Sequence, residues 1–377
     1  MTESRDCVVA VDIGGTTMKG AVFDRGGHVL AARTVPTFGV NGRAADSVSG
    51  LIRQLLNLMR AQDRCPAAVG IASPGMVDTR RGVVISAVNL DWAGLPLRAR
   101  LQEEFALPVA LEHDARAAAL GEQAARAHRP GSGGPDAARP GPLRDFAFIP
   151  IGTGIAAAIV AGGRLVDGAT GSAGEFGHIP VVPGGRRCAC GQSGCIEAYA
   201  SGPAIEARYA GLTGQQRSVA EIAASASRAG PGGQAGQVWA EAIDALATGL
   251  VALVALTDPA VVIIGGGVGQ AGAALLEPLG AALAARLTWR AHPRLLASVL
   301  GPQAGLIGAG LCGWAGLTAP DPASGPAGLT APDPADGPAG EAAPQLAGAR
   351  AGAAAGFSRT ALAGLAAATA PLGAARA

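Results

Sequence analysis

The spacing of apolar residues changes along the chain, and each change marks an element. Residues Val8 to Asp24 run as an apolar stretch (VVAVDI), a glycine break (GGT) and an alternating stretch (MKGAVFD), which predicts a β-hairpin. From Asp46 to Arg60 apolar residues recur on one helical face, and AAVGIASPG then reads as a short buried strand running into a Ser-Pro-Gly turn. PVALEHDARAAALGEQAARA predicts a strand, a turn at His113 and Asp114, and an alanine-rich helix. From His128 to Arg144 Pro and Gly replace the apolar period, so a surface loop is expected there, separating two domains near the middle of the chain. The strand FAFIPIGTG and a long helical region follow. TDPAVVIIGGGVG then delivers a second buried strand into a glycine turn, and GLIGAGLCGWAGL predicts a short closing helix.

Composition adds boundaries to this pattern. With 377 residues and 49% apolar content the chain can bury the cores of two α/β domains. A net charge of +1, from 29 basic and 28 acidic residues without a basic block, argues against a nucleic-acid binder and for small or neutral partners. No unbroken apolar run reaches the roughly 18 residues of a membrane span, and the start of the chain lacks the apolar core of a signal peptide. A cytoplasmic protein without a membrane partner is expected. Arginine outnumbers lysine 28 to 1, a compositional bias that, together with abundant alanine, inflates helix propensity. From Gly316 a twelve-residue repeat appears twice, GLTAPDPASGPA and GLTAPDPADGPA, and reads as a linker into an alanine-rich segment without candidate chemistry.

The candidate chemistry begins at DIGGTTMK, Asp12 to Lys19. Its glycines permit a tight turn that faces backbone amides and the Thr16 and Thr17 hydroxyls toward a phosphate, and its lysine is the only one in the chain. The same residues read equally well as an ordinary hairpin turn, and the spacing is not that of a Walker loop. Two further glycine turns follow apolar strands, Ile151 to Gly154 and Ile264 to Gly269; three such turns can surround one nucleotide, though each alone is also a plain strand-to-helix turn.

Between residues 178 and 195, His178, Cys188, Cys190 and Cys195 supply one imidazole and three thiolates. That is a complete tetrahedral zinc set with no position left for a catalytic water, which predicts a structural metal. The remaining cysteines, Cys7, Cys65 and Cys312, are scattered, so a disulfide framework is not expected. Glu175 and Glu197 flank the cluster, and a zinc-braced loop would aim both carboxylates at ring hydroxyls, although Glu197 also suits a helix start. Asp114, at the strand-to-helix turn, reads as a helix cap or as the base that activates a phosphoryl acceptor.

Together these residues resemble the ROK family of sugar kinases and repressors, within the actin-like ATPase superfamily. DIGGTTMK, SPGMVD (Ser73 to Asp78), NLDW (Asn89 to Trp92), DARAAALGE, GTGI, GSAGEFGH and CACGQSGCIE follow in the family's order, over residues 8 to about 315. The resemblance implies an α/β protein of two actin-like (ribonuclease H-like) ATPase domains with an interdomain cleft. These are residues 1–115, with a closing helix at about 304–316, and residues 116–303, which carry the zinc loop; a disordered low-complexity tail, 317–377, follows. It further implies ATP, catalytic Mg2+, structural Zn2+, a sugar substrate and a homodimer or homotetramer. Position by position, Asp114 matches the general base, and Gly75, Asn89, His113, Glu175, His178 and Glu197 match sugar-side positions. His178 has two duties, one ring nitrogen on zinc and the other toward the sugar. Asp12, Gly14, Gly15, Thr16, Thr17 and Lys19 match the phosphate side, and Thr153, Gly154, Gly266 and Gly267 the nucleotide. The implied reaction is transfer of the γ-phosphate of ATP to the 6-hydroxyl of glucose or an amino-glucose.

One departure bears on the substrate. The family usually has Asn-Asp where this chain has His113-Asp114, and an imidazole offers different donors and more bulk. An amino-glucose such as glucosamine, N-acetylglucosamine or 3-amino-3-deoxyglucose is the expectation. A sugar-responsive regulator would need a DNA-binding domain ahead of Asp12, where the chain leaves no room, so that reading and a non-catalytic sugar sensor rank behind the kinase.

Overall fold

A computed structural model of the chain describes residues 6–39, 42–127, 143–230 and 232–317. The repeat-bearing tail from residue 318, and residues 128–142 of the expected loop, lie outside the described residues. The first part runs β1 (Cys7–Ile13), β2 (Thr17–Asp24), β3 (Val29–Pro36), α1 (Ala44–Arg60) and β4 (Ala68–Ser73). A small meander follows, β5 (Met76–Asp78), β6 (Val83–Ala87) and β7 (Trp92–Leu95), then α2 (Leu97–Phe105), β8 (Val109–His113) and α3 (Asp114–Ala127). The second part comprises β9 (Phe146–Pro150), β10 (Ala158–Ala161), β11 (Arg164–Leu165), α4 (Glu197–Ala200), α5 (Gly202–Thr213), α6 (Val219–Ala229) and α7 (Gln234–Thr257). It closes with β12 (Val261–Gly265), α8 (Gly266–Gly269), α9 (Ala273–Arg286), β13 (Arg294–Ala297) and α10 (Ala304–Gly316).

The strands form two five-stranded sheets with the same order, β3-β2-β1-β4-β8 and β11-β10-β9-β12-β13. In each, three antiparallel strands are followed by two parallel ones. Both sheets are covered on two faces, which is why their central strands read as continuous apolar runs. In β1 the odd residues Cys7, Val9, Val11 and Ile13 join the core under α1, while Val8 and Ala10 join the core under α10. Asp12 continues the second series and is the one carboxylate in this buried strand. In β12, Val262 and Ile264 pack toward α7 and α9, and Val261 and Ile263 toward α3.

Helices α3 and α10 lie together between the two sheets. Ala118 and Ala119 of α3 contact the second sheet, whereas Ala117, Leu120 and Ala124 meet α10 and the first sheet. Small residues let the two helices approach closely, so the alanine and glycine content of these stretches is a packing requirement as well as a compositional bias. Helix α7, at 24 residues, is long and apolar enough to cross a membrane; 61% of its most apolar window is buried, and its Trp239, Leu246 and Leu250 belong to the second core. The predicted hairpin, the two strands ending in glycine turns and the closing helix are all present, and β3 and the small meander, whose patterns are weaker, add to the predicted elements. At residues 113–114 no intervening turn exists: β8 ends at His113 and α3 starts at Asp114.

Candidate functional site

The parallel strands bring the first group of candidate residues to one edge. Asp12 on β1 is level with Ala72 on β4 and Glu112 on β8, so Ile13, Ser73 and His113 form the next row at the carboxyl ends of the strands. That edge is where open α/β sheets bind ligands. The Gly14–Thr16 turn leaves β1 there, and its exposed tip of Gly15, Thr16 and Thr17 is held by Thr37, whose hydroxyl donates to the Gly14 carbonyl at 2.6 Å and whose amide donates to that of Thr16 at 2.9 Å. Asn89, exposed, brings its side-chain amide to within 3.2 Å of the point where a Gly15 Cβ would stand. Gly75 has φ +87°, and a Cβ there would fall 2.2 Å from the Ser86 carbonyl, so only glycine fits between β4 and the meander.

Asp114 heads α3, where the helix dipole favours its negative charge, and its side chain is 41% exposed. Its Oδ1 accepts the Ala115 amide at 2.5 Å and lies 3.4 Å from His113 Nε2. Burial pushes the Asp12 carboxyl from 3.8 up to about 6; Lys19 opposes that rise, and the charge of Asp114 adds to it. The two carboxylates therefore sense each other across the strand ends. Room for Asp12 under α10 exists because Gly305 lacks a side chain: a Cβ there would be 2.9 Å from the Asp12 carboxyl carbon.

Lys19, opposite Asp12 in the β1/β2 register, donates to the Pro302 carbonyl at 2.7 Å. Its ammonium thus ties the first glycine turn to the 3-10 turn Gly301–Gln303, which packs against α8. That turn is in turn fixed by the fully buried Glu122 of α3, which accepts from the Ser298 hydroxyl at 2.5 Å and from the Val299 and Leu300 amides at 3.2 and 2.9 Å.

The second and third glycine turns are neighbours. The Ile151 amide donates to the Gly265 carbonyl at 3.0 Å, and the Val268 amide to the Ile151 carbonyl at 2.9 Å. Thr153 and Gly154 are exposed, Gly266 presses on the Ile151 backbone, and Gly152 and Gly267 face open space. A backbone cradle with vacant Cβ positions on both turns suits a nucleotide. Glu197 holds this cradle: its Oε2 accepts the Ile155 amide at 2.8 Å. Glu175, 43% exposed, and His178 lie on the segment that pairs with the same strand entry, through Gly177 N to Ile155 O at 3.2 Å and Ala157 N to Gly174 O at 2.7 Å.

The cysteines converge as the spacing suggested. The ligand atoms of His178, Cys188, Cys190 and Cys195 all lie within 4.8 Å of one another, with Cys188 Sγ to His178 Nδ1 and Cys190 Sγ to Cys195 Sγ both 3.7 Å. Zinc bonds of about 2.0–2.3 Å in a tetrahedron place ligand atoms roughly 3.3–3.8 Å apart, so the donor set fits zinc. Nδ1 faces the sulfurs, while Nε2 lies 3.7 Å from Glu175 Oε2 on the other side of the ring.

No local signal assigns a role to Thr37, Gly305 or Glu122. Thr37 is a buried polar residue outside any local motif, Glu122 ends the DARAAALGE stretch with nothing there to mark its role, and Gly305 is one glycine among 58. Only their distant partners identify them.

The profile described as ROK family matches residues 8–312. The chain is 34% identical to a glucokinase of Streptomyces coelicolor over 324 residues, 80% of this chain and 95% of that protein. It is 32% identical to an N-acetylmannosamine kinase of Shigella flexneri over 311 residues, 81% and 97% of the two chains. Among solved structures, a ROK family glucokinase from Streptomyces griseus, in complex with glucose and AMPPNP, superposes with a TM-score of 0.65 at 33% identity, covering 81% of this chain and 99% of that one. The two sheets are those of the actin-like ATPase fold.

Proposed function

The chain belongs to the ROK family, and from that membership we propose that it is an ATP-dependent sugar kinase that phosphorylates the 6-hydroxyl of glucose or an amino-glucose, with Asp114 as the general base. The observation that carries this reading is the placement of Asp114: an accessible carboxylate at the strand ends, close enough to Asp12 of the first glycine turn for its charge to be felt there. Phosphoryl transfer asks little covalent chemistry of a protein beyond positioning and charge balance.

ATP with magnesium supplies the phosphoryl group. Asp12 is the carboxylate fitted to hold the cation, since it is partly buried beside a second acid with only Lys19 opposing. The Gly14–Thr17 turn, Thr153, Gly154, Gly266 and Gly267 line the nucleotide side. Asp114 accepts the proton of the attacking hydroxyl through its exposed carboxylate, oriented by the Ala115 amide on Oδ1. Gly75, Asn89, His113, Glu175 and His178 surround the sugar, and Glu197 acts chiefly by fixing the Ile155 amide beneath it. His178, Cys188, Cys190 and Cys195 would hold a structural zinc, which would orient the loop without entering the phosphoryl transfer. His113 beside the base favours an amino-glucose over plain glucose.

An ADP-release assay across glucose, mannose, glucosamine, N-acetylglucosamine, N-acetylmannosamine and 3-amino-3-deoxyglucose tests the proposal. Sugar-dependent release with at least one hexose, absent with its 6-deoxy analogue, is expected. No sugar-dependent release across the panel would sink the kinase reading, and equal efficiency with glucose and every amino-glucose would remove the role given to His113.

A further inference from the structure

We propose that Arg116 is a positioning residue that fixes the sugar-side segment, residues 166–175, at a set distance from the base. The inference rests on the roles given above to Asp114 and Glu175. Arg116 lies two residues beyond Asp114 in α3 and is 1% exposed. An arginine is rarely buried so fully unless its donors are engaged, and these are. Nε donates to Glu112 Oε1 at 2.8 Å, Nη1 to the Gly171 carbonyl at 2.9 Å, and Nη2 reaches the Val77 carbonyl at 3.4 Å. Asp167 Oδ1 stands 3.7 Å from Nε. One side chain thus joins β8, β5 and the 166–175 segment.

Each partner leads to the site. Glu112 Oε1 also accepts the His113 amide at 2.9 Å, so the carboxylate gripped by Arg116 sets the backbone just ahead of the base. Val77 follows Gly75 by two residues. On the opposite side Gly171 has φ +77°, and a Cβ there would stand 2.6 Å from the Val77 carbonyl, so the segment's backbone lies directly on β5. Three residues later the Gly174 carbonyl is fixed by the Ala157 amide, and Glu175 follows. Glu175 therefore leaves a stretch of chain pinned at both ends, one of them by Arg116. A buried ion pair is a poor source of stability because desolvation offsets the attraction. What this one supplies is geometry, through a rigid planar fork that aims its donors at separate acceptors in fixed directions, which the compact ammonium of a lysine does not reproduce.

Arg116→Lys and Gly171→Ala disturb the same contact from its two sides. In steady-state kinetics with ATP and glucose, or the panel hexose with the highest kcat/KM if glucose is not turned over, both variants should raise the KM for sugar at least about tenfold, since misplacement of about 1 Å costs on this order or more. The KM for ATP should stay within about twofold, a split that general loss of stability does not produce. Glu175→Gln is the companion variant: if it leaves the sugar KM unchanged, the role of Glu175 fails on its own account. If Glu175→Gln raises that KM while Arg116→Lys and Gly171→Ala match wild type, the positioning role is overturned. Should Arg116→Lys not fold, Gly171→Ala decides alone. Amide hydrogen exchange over residues 172–176 requires no turnover; it should quicken in both variants, and unchanged exchange would also overturn the inference.

Discussion

Asp12→Asn is expected to make the protein more stable and less active at the same time. The carboxyl of Asp12 titrates at about 6 in the folded chain against 3.8 ordinarily, because burial under α10 outweighs the help of Lys19 and the charge of Asp114 adds to the penalty. A carboxyl whose folded value is raised holds its proton longer when folded than when unfolded, so folding loses stability as pH rises from about 4 to about 6 and carries the full cost above that. At about 1.4 kcal/mol per unit the shift is worth roughly 3 kcal/mol, and the partial exposure of Asp12 reduces this to about 2 kcal/mol. Asparagine keeps the shape that Gly305 accommodates and removes the charge. Thermal unfolding without nucleotide should therefore show the variant several degrees more stable at pH 7.5, with the gap closing near pH 4. Magnesium and ATP should restore the order by stabilising wild type more than the variant, whose turnover collapses. A variant less stable than wild type at pH 7.5, or a gap of the same size at both pH values, would refute the reasoning.

Three other outcomes follow from the same geometry. Asp114→Asn should lower turnover by about 100-fold or more while calorimetric sugar affinity changes little, because it removes the base and keeps its shape; normal turnover would take Asp114 out of the mechanism. Elemental analysis should find one zinc per chain, and Cys195→Ser or a strong chelator should lower the melting temperature and weaken sugar binding, with no rescue by magnesium. A zinc-free protein with undiminished stability contradicts that assignment. Glu122→Gln turns an amide toward donors from Ser298, Val299 and Leu300 and should cost about 2–4 kcal/mol in urea unfolding, whereas a midpoint equal to wild type would show that the 298–300 turn holds without it.

Much of the candidate site was legible along the chain because its residues cluster locally. The zinc ligands fall within eighteen positions, and each glycine turn directly follows the strand that delivers it. A short-range pattern constrains the backbone it belongs to, so strand, turn and ligand set could be read without knowing what packs against them. The weaker elements are hard to read for the opposite reason: β3 is an edge strand of half-buried and exposed positions without a clean alternation, and the meander strands are too short to show a period. Lys19 and Glu197 show that a local motif does not reveal a distant partner. Both sit in motifs suited to a ligand, and within the chain the first donates to a carbonyl 283 residues away while the second accepts from an amide 42 residues away.

The class of fold and the residues with chemistry to offer follow from the linear chain, because hydrophobic period and donor type are properties of neighbours along it. Which of those residues face one another is set by packing between distant segments. Asp12 and Asp114 are about a hundred positions apart, and their mutual influence arises from the parallel register of β1, β4 and β8. The burial of Arg116, the hold of Glu122 on the 298–300 turn and the gap left by Gly305 depend on α3 and α10 crossing between two sheets. Such contacts leave no periodic trace, since each is made once, between segments whose separation only packing brings to zero.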